Sequence, residues 1–288
     1  MTATTASPAG RRPLPKGRPG AWFVWAAVAF FLFNLAALIL SVVVNSFGTR
    51  WFGGWLPESF TTAWYASAWE EFALGEVLSV TLQITLVVVA LSLLIGVPAG
   101  YALARRDFPG KRVVMFLLLL PVLLPPITYG IPLATVLYKV HLAGTMTGVI
   151  AANLVPALPF VILVMTPFVE QIDTNVESAA RMCGARTRQV FARVLVPLLL
   201  PGILAAGILV LVRTVAMFEL TFLVADADSQ TLIVALYSAA FTPGIRAAQA
   251  IDAMAVIYMA LSALLLIIAL MFVNPTQIVA QVREAPRE

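Results

Sequence analysis

The chain has 288 residues, of which 61% are hydrophobic and only 11% are charged. This composition excludes a soluble globular domain, in which about 25% of residues are charged, and it predicts a protein of the lipid bilayer. The formal net charge of +4 raises the question of nucleic-acid binding, which the positions of the basic residues decide.

Six apolar runs are long enough to cross a bilayer, because about 20 helical residues span a ~30 Å hydrocarbon core. We expect helices near 21–44, 77–104, 113–138, 145–169, 197–224 and 251–273. The predicted fold class is therefore an all-α membrane protein with six transmembrane helices. The first run follows a basic flank but is too long for a signal peptide and lacks an A-x-A cleavage site, so we expect an uncleaved anchor.

The basic residues lie mainly on one side of these spans. Fourteen of the eighteen do so, namely Arg11, Arg12, Lys16, Arg18, Arg105, Arg106, Lys111, Arg112, Arg181, Arg186, Arg188, Arg193, Arg283 and Arg287. The opposite side has only Arg50, Lys139 and Arg246. The positive-inside rule then predicts that the tails 1–20 and 274–288 are cytoplasmic and that segment 45–76 is external. This pattern indicates a membrane surface and excludes nucleic acid as the partner.

The external segment is rich in tryptophan, with Trp51, Trp55, Trp64 and Trp69. That density is typical of an aromatic belt at the membrane interface. Contact with an external delivery protein is the alternative.

Span three contains several helix breakers, which are Pro121, Pro125, Pro126, Gly130 and Pro132. Each proline removes a backbone donor, and broken backbone at membrane depth is tolerated beside protein or a water-filled cavity. A kinked helix beside a translocation path and ordinary kinked packing both fit.

The 170–196 loop contains two amphipathic patterns. A narrow apolar face at i, i+3, i+4 and i+7 is formed by Val176, Ala179, Ala180 and Cys183. Glu177 and Arg181 form an i,i+4 pair beside it. After Gly184, a second helical pattern puts the apolar residues on one side, at Val190, Phe191, Val194 and Leu195. We therefore expect two short helices separated at a glycine, forming a docking surface.

The segment 178–202, SAARMCGARTRQVFARVLVPLLLPG, resembles the EAA loop of the type-I permeases of binding-protein-dependent ABC importers. In that pattern two alanines follow an acidic residue, a glycine stands four residues after the second alanine, and a proline stands thirteen residues after the glycine. Ala179, Ala180, Gly184 and Pro197 match these spacings.

The match departs from the family pattern at two positions. Ser178 occupies the acidic position, with Glu177 one residue earlier, and Cys183 replaces the aspartate that usually precedes the glycine. The geometric part of the pattern, which consists of the small alanines and the turn glycine, is retained.

The resemblance implies a type-I ABC importer permease fold, with a five-helix core over 77–273 and span one as an additional N-terminal helix. It implies that the loop seats in a groove of an ATPase subunit. The residues it assigns to ATPase coupling are Glu177, Ser178, Ala179, Ala180, Gly184, Ala185, Phe191 and Pro197. The resemblance also implies that the protein lies in the cell inner membrane. The implied partners are a second permease subunit, two cytoplasmic ATPase subunits and an external (periplasmic) solute-binding protein.

Within the family, three stretches look closest to the second permease subunit of spermidine/putrescine-type importers. They are TRWFGGWLPESFTTAWY, YALARRDFPGKR and SQTLIVALYSAAFTPGIRAAQAIDAMAVIYM. This resemblance implies a polyamine-type substrate, although related subunits import opines, ferric iron or sugars.

Span five contains Arg213 and Glu219, and ionisable groups inside a span are candidates for a substrate path. On a continuous helix they would lie about 120° apart around the axis and ~9 Å apart along it, too far to pair directly. A packing role against neighbouring helices or the partner permease is the alternative.

The sequence has no G-x-x-x-x-G-K-[ST] phosphate loop. With one histidine and one cysteine, it also offers no nucleophile–base pair or zinc site. We therefore expect no enzyme activity, no metal and no cofactor. The main alternative is an ion-gradient-driven secondary transporter, which typically shows paired broken helices; a membrane scaffold would leave the glycine-hinged loop unexplained.

Overall fold

The computed structural model describes residues 19–51, 54, 56–242, 244 and 246–271, with side chains from residue 22 onward. Most of the expected tails 1–20 and 274–288, together with Trp55, lies outside the described residues. Within them, twelve α-helices follow one another: α1 (Pro19–Phe47), α2 (Ala63–Glu71), α3 (Leu74–Arg105), α4 (Lys111–Leu123), α5 (Pro126–Lys139), α6 (Met146–Glu170), α7 (Thr174–Met182), α8 (Thr187–Val190), α9 (Val196–Val215), α10 (Glu219–Val224), α11 (Leu232–Phe241) and α12 (Ala248–Met271).

The predicted all-α membrane fold is confirmed, with one span divided. Five helices are long and apolar enough to cross a membrane, and the bent pair α4–α5 makes a sixth crossing if it is counted as one. Outside the helices, the described chain has one isolated β-bridge, between Gly48 and Phe60.

The third span is two helices rather than one kinked helix, since α4 and α5 meet at 99°. The cause is the Pro125–Pro126 pair, because a residue that precedes proline is pushed out of the α region. Leu124 and Pro125 accordingly have extended backbone, with ψ of 143° and 131°. The other prolines of this span, Pro121 and Pro132, lie inside helices.

The fifth span also differs from the prediction of 197–224. A continuous helix runs over Thr187–Val215, and α10 follows only at Glu219. The last turn of the long helix tightens, since the Met217 N–H donates to the Thr214 carbonyl three residues back at 3.1 Å. Thr214 and Val215 are β-branched and weaken the helix at this point. The apolar helix α11, which was not predicted, is too short to cross the bilayer.

Helices α3 and α6 form the centre of the main core. Gly96 and Gly100 on α3 face Val161 and Met165, both fully buried on α6. A Cβ at Gly96 would lie 2.6 Å from Val161 Cγ1. This G-x-x-x-G spacing therefore permits the close backbone approach that is typical of membrane helix pairs.

Helix α1 lies at the edge of the bundle. No residue is buried in the most apolar part of its membrane-spanning stretch. The helix contacts mainly α12. Near its C-terminal end, Asn45 donates a hydrogen bond to Asp252 of α12. The apolar surface exposed over residues 22–41 fits a lipid environment.

Candidate functional site

The candidate site is the connection between α6 and α9, at the end of the bundle that carries α7. Asp173 caps the start of helix α7, since its Oδ1 accepts from the Asn175 N–H at 2.9 Å. The helix ends at Met182, and Gly184, two residues later, has a φ of +83° in the left-handed region.

The α7 terminus is a Schellman motif. The Ala185 N–H donates to the Ala180 carbonyl at 3.1 Å, and the Gly184 N–H donates to the Arg181 carbonyl at 2.9 Å. These bonds satisfy carbonyls that the helix end would leave without partners. Ala180 and Ala185 also pack on the main core, so the turn is held by both hydrogen bonds and apolar contact.

The second short helix is not a separate element, which corrects the sequence-based expectation. Helix α8 continues through a π-helical turn, Phe191–Leu195, into α9. In this turn the Val196 N–H donates to the Phe191 carbonyl, five residues back. Pro197 follows directly, and because proline cannot donate, the wider turn accommodates the missing bond. The predicted apolar side of this segment faces inward, with Val190 of α8 and Leu195 of the π-helical turn buried.

Glu177 faces the bundle rather than solvent, and the residue is only 7% exposed. Its Oε1 accepts from Arg105 Nε at 2.8 Å and its Oε2 accepts from the Tyr101 hydroxyl at 2.7 Å. Arg105 also donates from Nη2 to the Ile172 carbonyl at 2.6 Å. We call Tyr101, Arg105 and Glu177 the α3–α7 clasp, because they join the end of α3 to α7.

The expected Glu177–Arg181 pair is the weaker of the two contacts of this carboxylate. Arg181 Nη2 lies 4.0 Å from Glu177 Oε2, and the Arg181 side chain is 56% exposed. Arg105, with a side chain 14% exposed, is the main partner. A buried charge requires such a partner, which α3 supplies.

Tyr101 also joins the second half of the loop to α3. The Phe191 ring packs edge-on against the Tyr101 ring, with centroids 5.6 Å apart. Glu177 and Phe191, both predicted coupling residues, therefore contact the same side chain. The clasp residues Tyr101 and Arg105 were not identified as site residues from sequence, although both belong to the quoted stretch YALARRDFPGKR.

The outer face of α7 is apolar and open. Val176, Ala179, Met182 and Cys183 are exposed, and Met182 is 84% exposed. Ser178, at the position of the family's acidic residue, is exposed too, and its hydroxyl donates to the Thr174 carbonyl at 3.1 Å. Met182 was missed by the sequence analysis, which placed Ala180 on this face instead.

Arg213 and Glu219 are not on one helix, so the expected continuous helix is wrong, and the angle of about 120° and separation of ~9 Å that depend on it do not apply. Arg213 belongs to the last turn of α9, and Glu219 begins α10. Arg213 Cζ lies 5.7 Å from the centroid of the Phe160 ring. Within the described part of the chain the two residues form no salt bridge with each other.

The protein family and the individual proteins that this chain is similar to are membrane components of transport systems. Residues 96–278 match the family described as binding-protein-dependent transport system inner membrane component. The trehalose transport system permease protein SugB of Mycobacterium tuberculosis is 31% identical over 192 residues, which are 65% of this chain and 70% of that protein. The molybdate/tungstate transport system permease protein WtpB of Thermococcus kodakarensis is 32% identical over 174 residues, 60% of this chain and 68% of that protein.

A solved structure supports the fold. A chain of a bacterial ABC transporter involved in the import of the acidic polysaccharide alginate superposes with a TM-score of 0.72. The superposition covers 90% of this chain and 98% of that chain at 20% sequence identity.

Proposed function

This chain belongs to the family of binding-protein-dependent transport system inner membrane components, and we propose that it is one of two permease subunits in an ATP-driven importer. The observation that carries this proposal is the open apolar face of α7 on a helix held to α3 by the clasp. An exposed apolar helix face suits a groove in a partner. The expected coupling residues Ser178 and Ala179 lie on the exposed side of the same helix.

The proposed partners are two ATPase subunits, one of which would hold α7 in a groove, a second permease chain and an external solute-binding protein. The family description, which names dependence on a binding protein, supports the last of these. The distribution of basic residues supports an orientation with α7 and both termini in the cytoplasm. The Trp-containing segment 45–76 would then face the binding protein.

We expect that this subunit alone does not transport. In proteoliposomes, uptake should require the second permease, the ATPase subunits, the binding protein and ATP, since this chain has no phosphate loop. A matched preparation with a hydrolysis-deficient ATPase should give no uptake. Uptake by this chain alone, driven by a proton or sodium gradient, would instead establish the secondary transporter.

The substrate we propose to test first is a small organic cation of polyamine type, on the subgroup resemblance alone. The relatives described above are named for trehalose and for molybdate or tungstate, and they lend this substrate no support. A sugar is the second candidate, favoured by the trehalose permease. Calorimetric titration of the cognate binding protein with polyamines, opines, sugars and ferric iron distinguishes these classes.

If a polyamine is bound, Glu219→Gln should slow uptake by about fivefold, because a carboxylate beside a wet path attracts a cation by ~1 kcal/mol. Arg213 opposes this attraction, which keeps the expected effect small. Uptake should be compared with that of Glu76→Gln, which alters an exposed acid at the start of α3. Equal uptake by the Glu219 variant and wild type would assign Glu219 to packing.

A further inference from the structure

A cavity lies at the end of the bundle that carries α7, and the residues of α3 that line it are different from the clasp residues Tyr101 and Arg105. Its volume is about 800 Å³. Its apolar walls come from α3, α4 and α6, at Ala99, Ala102, Leu103, Val114, Leu118 and Ile162. Arg106, Asp107 and Phe108, which follow α3, line the remainder. The cavity thus combines apolar walls with charged groups where α3 ends.

Some charged side chains around this cavity have a salt-bridge partner among the described residues, and others have none. Asp107 accepts from Lys111 Nζ at 3.1 Å, whereas Arg105 is held by Glu177. Arg106 is exposed and has no salt-bridge partner among the residues that the structure describes. Arg112, on the first turn of α4, is exposed as well. The surroundings of the cavity therefore have an excess of positive charge.

We propose that this cavity binds an anionic phospholipid of the surrounding membrane. Its apolar walls would hold an acyl chain, and the guanidinium of Arg106 would bind the phosphate. The planar N–H donors of arginine match the geometry of phosphate oxygens. Basic pockets between transmembrane helices on the cytoplasmic side are typical sites for anionic headgroups. The inference rests on the proposed orientation, in which Arg106 and Arg112 face the cytoplasmic leaflet.

The test is native mass spectrometry of the assembled transporter, exchanged into nanodiscs of phosphatidylglycerol or phosphatidylcholine. Wild type should retain phosphatidylglycerol and not phosphatidylcholine. Arg106→Gln should lower its retention by about tenfold, the effect of losing one charge-assisted hydrogen bond. Ala102→Phe, which fills the cavity without changing charge, should lower retention similarly.

Two matched variants serve as controls. Ala90→Phe adds the same ring at an exposed position of α3 remote from the cavity, and Arg193→Gln removes an exposed arginine from the π-helical turn. Both should retain the lipid, and free glycerol phosphate should not displace it, since the acyl chain contributes binding. Equal retention of both lipids, or unchanged retention in Arg106→Gln and Ala102→Phe, would overturn the proposal.

The second permease could instead occupy the cavity, and cross-linking decides this. Ala102→Cys in a Cys183→Ala background should give no cross-link to that subunit. A high yield of cross-linked permease pair would show a protein contact and also overturn the lipid site. ATP-dependent uptake by the assembled transporter tests the proposed function separately from either result.

Discussion

Glu177→Gln should reduce ATP-driven uptake by at least about tenfold while leaving the protein inserted and the ATPase subunits bound. The substitution keeps the size of the side chain but removes the charge that holds Arg105, and each hydrogen bond to a charged group contributes about 1.5–3 kcal/mol. With the clasp weakened, movement of α7 would no longer be transmitted to α3. The measurements are uptake in proteoliposomes and co-purification of the ATPase subunits.

The partner substitution tests whether the clasp acts as a unit. Arg105→Gln should reduce uptake to the same extent, and the double variant should be no worse than either single variant, because residues in one network are not additive. Arg181→Gln, which changes the mostly exposed neighbour of the same carboxylate, is the matched control and should have a smaller effect on uptake. Loss of ATPase co-purification in Glu177→Gln would show that the carboxylate contacts the ATPase directly, and the clasp would not explain its role.

The regular part of this fold could be predicted from local sequence. Apolar runs of sufficient length predicted the four helices that coincide with 21–44, 77–104, 145–169 and 251–273, since hydropathy and length alone define a crossing helix. The Pro125–Pro126 pair predicted a disturbance in span three. The 99° angle could not be predicted, because it depends on how α4 and α5 pack on other helices.

The clasp shows why the site was predicted only in part. The spacing of Ala179, Ala180 and Gly184 is local and identified the loop. Arg105 precedes Glu177 by 72 residues, and periodicity within one helix carries no information about such a partner. A buried glutamate requires a cation, but several arginines of the sequence were equally able to supply it. The π-helical turn before Pro197 was missed for a similar reason, since proline alone also fits the start of a new helix.

Gly184→Val should uncouple ATP hydrolysis from uptake without preventing membrane insertion. The backbone at this residue has φ of +83°, and the left-handed conformation costs a residue with a Cβ about 1–2 kcal/mol, with the greatest strain for a β-branched side chain. A Cβ here would meet no atom within 4 Å. The strain therefore comes from the backbone alone, and it would be relieved by opening the Schellman turn and rotating α7 away from α8.

Gly184→Asn provides the matched control, because asparagine tolerates the left-handed region better than other residues with a Cβ. It should retain most of the uptake, whereas valine should lower the ratio of substrate transported to ATP hydrolysed by about fivefold or more, the effect of ~1 kcal/mol. Hydrolysis and uptake should be measured on the same proteoliposomes. If the two variants lost transport equally, added bulk against the ATPase rather than backbone strain would be the cause. If valine left both docking and uptake unchanged, the turn at Gly184 would not need its positive φ for coupling.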